Sequence, residues 1–264
     1  MPEGHTIHRH ARLQHADMAG RVIGVASPQG WAEDAAAEVD GRTLERVEAY
    51  GKHLFYRFEG APAALQVHLG LFGRFRRWSE PAPPPTPTTR LRFTGGQRTL
   101  DLSGAIISGL IAPEEEAALR ERLGPDPLRR DADPEKAWER LKRKRIGLGA
   151  ALLDQTVIAG LGNVFRAEIL FACRLNPTKP SKDLTREQFD QLWATTVAFL
   201  RKGERAGKIV TVPRDEAGKP PSRLTGRDRV QVYRREHCRR CRGPTRTAKV
   251  AGRTLYSCPV CQRG

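Results

Sequence analysis

Apolar and polar residues alternate in short runs along roughly the first hundred positions, and the period changes after about Pro113. Residues 4–20 open the chain with helical spacing, because Ile7, Ala11 and Met18 share one face and Gly20 supplies a stop. Strand-like segments follow at Arg21–Ser27, Arg42–Ala49, His53–Phe58, Ala64–Leu69, Gly73–Trp78, Leu91–Phe93 and Arg98–Leu102. Their alternation is that of half-buried antiparallel strands. Many short strands punctuated by Gly and Pro point to a β-sandwich or barrel. The stretch Glu80–Thr89 (EPAPPPTPTT) reads as a stiff loop between strands.

Beyond Pro113 the spacing predicts helices at Glu114–Leu123, Pro134–Arg143, Leu148–Val157, Asn163–Cys173 and Thr185–Lys202. Asp133-Pro134, and Thr185 with Gln188, are good helix starts. Gly203–Arg223 is polar and rich in Gly and Pro, which predicts a long mobile loop. No internal repeat is present. The pattern predicts an α+β multidomain chain, with an N-terminal antiparallel β-sandwich and opening helix over 1–125. A helical domain over 126–225 and a small C-terminal module over 226–264 complete it.

Of the 264 residues, 39% are hydrophobic, enough for real cores. No run of about 18 apolar residues occurs and no secretory h-region opens the chain, so a cytoplasmic protein is expected. Lys and Arg number 46 against 30 Asp and Glu, a formal net charge of +16. Such an excess favours nucleic acid, anionic membrane or ribosome as partner. From Arg223 to Gly264 twelve Arg and Lys face two acids, Asp228 and Glu236. That concentration argues against a merely solvated basic surface.

Cys238-x-x-Cys241 and Cys258-x-x-Cys261 lie sixteen residues apart, an interval that fits one β-hairpin. Each pair can grip one face of a tetrahedral metal, the pattern of a four-thiolate structural zinc site. Disulfides suit secreted chains and are the lesser reading. A site closed by four thiolates has no open position, so one zinc ion would be scaffold and not reaction centre. His237 reads as a bystander and Cys173 as a core residue. Arg253, near the hairpin tip with Lys249 and Gly252, is either a phosphate or groove contact or a solvated charge.

Three features converge: Met1-Pro2-Glu3-Gly4 at the start, Gly160-Leu161-Gly162-Asn163 opening a helix, and a basic zinc finger at the end. In this order and spacing the chain resembles the formamidopyrimidine-DNA glycosylase/endonuclease VIII family of base-excision repair enzymes, from Pro2 to Gln262. The resemblance implies a helix–two-turn–helix element within Leu148–Cys173 and double-stranded DNA carrying oxidised bases or abasic sites as partner. It implies a monomer, nucleoid-associated through DNA and without membrane attachment. Removal of Met1, favoured by a small second residue, exposes the secondary amine of Pro2, which can attack C1′, expel the base and leave an iminium. An α-amino group of pKa about 8 is roughly a tenth deprotonated at pH 7, far more than a lysine, and a helix N-terminus lowers that pKa further. Glu3 is placed for proton transfer. Lys52 matches the lysine that contacts phosphate near the reacting sugar, and Asn163 with Arg253 would pinch the backbone around the lesion. For Asn163 a plain helix N-cap is compatible with that role.

His68-Leu69-Gly70-Leu71-Phe72-Gly73 occupies the place of the family's void-filling wedge, with Leu71 and Phe72 as candidates. The lesser reading of those two is ordinary core residues at a strand end. His68 is either a phosphate contact or a satisfied, partly buried histidine, the second being favoured. Thr6 stands where family members often carry glutamate, which leaves Glu3 as principal acid. Thr156 stands where the oxidised-purine branch has lysine, which draws the chain toward endonuclease VIII and oxidised pyrimidines. The length of Gly203–Arg223 argues the other way, for 8-oxoguanine and formamidopyrimidines. A rival of another class is a non-catalytic zinc-ribbon nucleic-acid-binding protein, which would need neither Pro2 nor Glu3.

Overall fold

The computed structural model describes residues 2–220 and 223–263. Met1, whose removal the chemistry of Pro2 requires, lies outside them, as do two residues of the expected 203–223 loop. The chain divides into two compact units, Met1–Glu3 with Ile7–Arg122, and Gly4–Thr6 with Leu123–Gly264. Among the described residues no helix is long and apolar enough to cross a membrane.

The first unit is built on α1 (Gly4–Met18), of which residues from Ile7 onward belong to it, and eight antiparallel strands. These are β1 (Arg21–Ala26), β2 (Arg42–Tyr50), β3 (His53–Phe58), β4 (Ala64–His68), β5 (Arg74–Trp78), β6 (Thr89–Thr94), β7 (Thr99–Ser103) and β8 (Ile107–Ile111). Their order is β5-β7-β6-β1-β2-β3-β4-β8. β1 serves both layers of the sandwich: Arg21–Ile23 pair with β2, and Gly24–Ala26 pair with β6. Ile7, Ala11 and Met18 are buried as their spacing predicts, packed with Ile23, Leu44, Leu54, Tyr56, Phe93 and Leu102. Two elements escape the sequence pattern. α2 (Glu33–Val39) is a short helix holding Ala35, Ala36 and Val39 inward, and β8 is an edge strand interrupted by Gly109.

α3 (Pro113–Arg122) closes the first unit, and the second unit carries α4 (Pro134–Arg143), α5 (Leu148–Ala151), α6 (Asn163–Ala172), α7 (Arg186–Ala206) and α8 (Arg214–Ala217). Asp133 caps α4 through its carboxylate, and Thr185 with Gln188 forms the expected capping box on α7. The expected helix Leu148–Val157 stops at Ala151. Asp154 Oδ1 accepts from the Thr156 N–H (2.9 Å) and hydroxyl (2.7 Å), and this local turn takes the backbone away from the helix. The expected loop from Gly203 is helical to Ala206, and Gly207 ends α7 with φ +67°. Gly203 is there for close approach: a Cβ on it would lie 3.1 Å from the His5 ring. The chain ends in a hairpin of β9 (Arg246–Val250) and β10 (Arg253–Ser257), turned by Ala251 and Gly252 with both φ positive.

Candidate active site

The N-terminal residues meet the first turn of α1. Glu3 is its N-cap, extended at φ −125° and ψ 176°, and it is buried. Its carboxylate makes no capping bond to the helix. Pro2 stands one residue further out, at the end where the helix N–H groups place positive potential. The next residue is fixed firmly, because the Gly4 N–H donates to the Gly160 carbonyl at 2.8 Å. Gly160 itself takes φ +92°.

In the first unit, the turn between β2 and β3 is the pair Gly51-Lys52, with Gly51 at φ +58°. β3 and β4 pair so that His53 lies opposite His68, their rings edge-on at 4.6 Å. Burial pushes the His53 imidazole down to about 3, with His68, Arg122 and Lys52 adding repulsion. Burial and Lys52 lower His68 also, so both rings are neutral near pH 7. His68 Nδ1 accepts the Gly70 N–H at 3.0 Å, which puts its proton on Nε2. The following turn is held by the Gly73 N–H on the Leu69 carbonyl (2.8 Å), and a Cβ at Gly73 would lie 2.2 Å from that oxygen. This tight loop leaves Leu71 51% and Phe72 84% exposed. Neither is a core residue.

In the second unit, α6 and the hairpin are bolted together by two side chains. Asn163 Nδ2 donates to the Thr254 carbonyl at 2.9 Å, and Asn163 Oδ1 accepts from Arg166 Nη2. Arg166, fully buried, also donates to the carbonyls of Gly149 (2.9 Å) and Val250 (3.3 Å). Gly162, not Asn163, is the N-cap of α6, so the side chain of Asn163 is spent on the hairpin instead of a cap. Arg253 begins β10 directly after the tip, opposite Val250.

The four cysteines Cys238, Cys241, Cys258 and Cys261 bring their sulfurs within 4.8 Å of one another. None is in a disulfide. The Cys238–Cys261 and Cys241–Cys258 sulfurs are 3.8 and 3.5 Å apart. A disulfide would hold them at about 2.05 Å, whereas a tetrahedron with metal–sulfur bonds of about 2.3 Å has edges of roughly 3.8 Å. The residues therefore fit a metal ion. His237 is outside the cluster, and Cys173 is buried on the core of α6, as expected.

Sequence reasoning missed the charged residues inside α6. Glu168 is completely buried; its Oε1 accepts the N–H groups of Val232 (2.9 Å) and Tyr233 (2.8 Å), and its Oε2 accepts Gln231 N–H (2.7 Å) and the Thr211 hydroxyl. Burial pushes this carboxyl up, against four hydrogen bonds that hold it down. The available signal was two charges, Arg166 and Glu168, in a run with no polar face. Glu168→Gln turns an NH₂ toward two donors and is expected to destabilise the chain by about 3 kcal/mol. Thermal melting checks this, and an unchanged midpoint would contradict it.

Residues 1–104 match the family model described as the formamidopyrimidine-DNA glycosylase N-terminal domain, and residues 123–214 match that of the H2TH (helix–two-turn–helix) domain of the same enzyme. The chain is 45% identical to Endonuclease 8 1 of Mycobacterium tuberculosis, covering 99% of this chain and 100% of the relative. It is 32% identical to the formamidopyrimidine-DNA glycosylase of Thermus thermophilus, covering 99% and 97%. Among solved structures, Lactococcus lactis Fpg in complex with DNA containing N7-benzyl-Fapy-dG shares the fold, with a TM-score of 0.81 at 24% identity over the full length of both chains. The chain belongs to the formamidopyrimidine-DNA glycosylase/endonuclease VIII family of DNA glycosylases.

Proposed function

We propose that this protein excises oxidised bases, pyrimidines above purines, from double-stranded DNA and cuts the strand by β,δ-elimination. The observation that carries this reading is Pro2-Glu3 at the start of a helix whose first N–H is fastened to Gly160. The Pro2 nitrogen bonds to C1′ as the glycosidic bond breaks, and opening of the sugar leaves an iminium that drives elimination. Glu3 moves protons to the sugar oxygen and from the amine. Lys52 neutralises phosphate in the first unit, and His68 offers its Nε2–H as a neutral donor there. In the second unit Asn163 spends one amide hydrogen on the hairpin and has a second for phosphate, and Arg253 supplies charge at the tip. Leu71 and Phe72, held out on a loop that only glycine permits, fill the space of an extruded nucleotide.

The ion at the cysteines is one structural zinc, as four thiolates and the sulfur spacings favour. Bound there, it supplies folding energy and no reacting ligand. The protein acts as a monomer in the cytoplasm, associated with the nucleoid.

Pyrimidine preference is supported by the relative named Endonuclease 8 1 and by Thr156, whose hydroxyl is engaged with Asp154. The test is base release from duplexes carrying thymine glycol, 5-hydroxyuracil or 8-oxoguanine. The two pyrimidines should be processed faster; 8-oxoguanine ranking first would reverse the preference. Binding without release from any duplex would favour a zinc-ribbon binding protein. Arg253→Ala should weaken binding to every sequence and reduce the slope of log affinity against log salt by about 1. An unchanged slope would make Arg253 a solvated charge.

A further inference from the structure

We infer that Gln155 is a positioning residue for the N-terminal amine, acting through Gly160 on Gly4; the inference rests on Pro2 being the nucleophile. The side chain of Gln155 lies inside the loop that precedes α6 and makes three hydrogen bonds to it. Oε1 accepts the Gly160 N–H at 3.0 Å, and Nε2 donates to the carbonyls of Leu153 and Leu161, both at 2.9 Å. The amide is thus used at both ends, and it clamps Gly160, a residue of the loop that reaches the start of the chain. The carbonyl of that same Gly160 receives the Gly4 N–H at 2.8 Å.

The junction has no slack. A Cβ on Gly4 would lie 3.0 Å from Gly160 Cα and 3.2 Å from its carbonyl oxygen. Gly160 needs its left-handed φ of +92° to present the carbonyl, a conformation that L side chains rarely adopt. Pro2 is only two residues from this anchor, so a shift of Gly160 is passed on to the amine with little chain to absorb it. The same loop ends at Asn163, three residues beyond Gly160. One short segment therefore carries a proposed phosphate ligand, which Thr254 and Arg166 hold in place, and the seat of the nucleophile, which Gln155 holds.

Gln155 touches neither sugar nor base, so its loss should affect the placement of the amine and spare binding. On an abasic duplex the reaction read is attack of the Pro2 amine on the C1′ aldehyde, loss of water to the iminium, and capture by borohydride. Gln155→Met keeps the length of the side chain and removes its hydrogen bonds. Its maximal trapping rate at saturating DNA should fall about 100-fold, the cost of a displacement near 1 Å. Affinity for a duplex with a tetrahydrofuran site, which cannot form an imine, should stay within about twofold. Gly4→Ala attacks the same junction from the other side and should give the same split between rate and affinity; it is read alone if Gln155→Met does not fold. The double variant should lose little more than either single one, because both break one linkage. Trapping at the wild-type rate, affinity lost in step with rate, or additive effects in the double variant would each overturn the inference. Failure of the underlying reading looks different: the wild-type sequence with Met1 retained would then trap as fast as the tag-free chain.

Discussion

A chain that retains Met1, or carries any N-terminal tag, is expected to lose base release and strand cutting by about 10⁴-fold or more, the scale seen when a covalent nucleophile is removed. The reason is electronic. An acylated Pro2 nitrogen gives its lone pair to the amide carbonyl and can form no iminium. A free α-amino group of ordinary pKa has a lone pair available in roughly a tenth of molecules at pH 7. Glu3, Lys52, Asn163 and Arg253 are untouched by the block, so salt-dependent DNA binding should persist. Single-turnover cleavage and binding measured on the same blocked preparation separate the two. Full cleavage by the blocked chain would contradict the mechanism.

Removal of the proposed zinc is expected to have the second large effect, and it should act on binding. The finger is small, and its core consists of Ala167, Phe171, Val232, Leu255 and the cysteines Cys238 and Cys258 themselves. So little apolar surface does not hold a hairpin against chain entropy, and structural zinc sites typically contribute about 10–16 kcal/mol. Without the ion, Thr254 and Val250 leave their partners Asn163 and Arg166, and Arg253 loses its fixed place. Stripping the metal with a chelator should release one zinc per chain and lower duplex affinity by about 100-fold or more. Retained affinity and salt dependence after complete metal loss would show that the hairpin stands without it.

Much of this was legible in the sequence for identifiable reasons. Ile7, Ala11 and Met18 on α1, the capping box at Thr185 and the two Cys-x-x-Cys pairs are local signals, and each lies where its spacing placed it. The failures are those of tertiary context. β8 carries a mid-strand glycine and becomes a strand only by pairing with β4. The helix from Leu148 is cut short by the side chain of Asp154, and α7 continues through Gly203 because His5 needs the space. Asn163 looks like an N-cap in one dimension, yet Thr254, 91 residues away, claims its amide. Arg166 and Glu168 acquire their roles only through backbone partners far along the chain, and Gln155 only through Gly160, whose carbonyl holds Gly4.

The most direct test of the central claim is the site of the covalent bond. Tag-free protein is reacted with an abasic duplex, reduced with borohydride, digested with protease and analysed by mass spectrometry. The sugar is expected on the N-terminal peptide, at the Pro2 nitrogen. An adduct on a lysine-bearing peptide, such as one containing Lys52, with Pro2 unmodified, would contradict it.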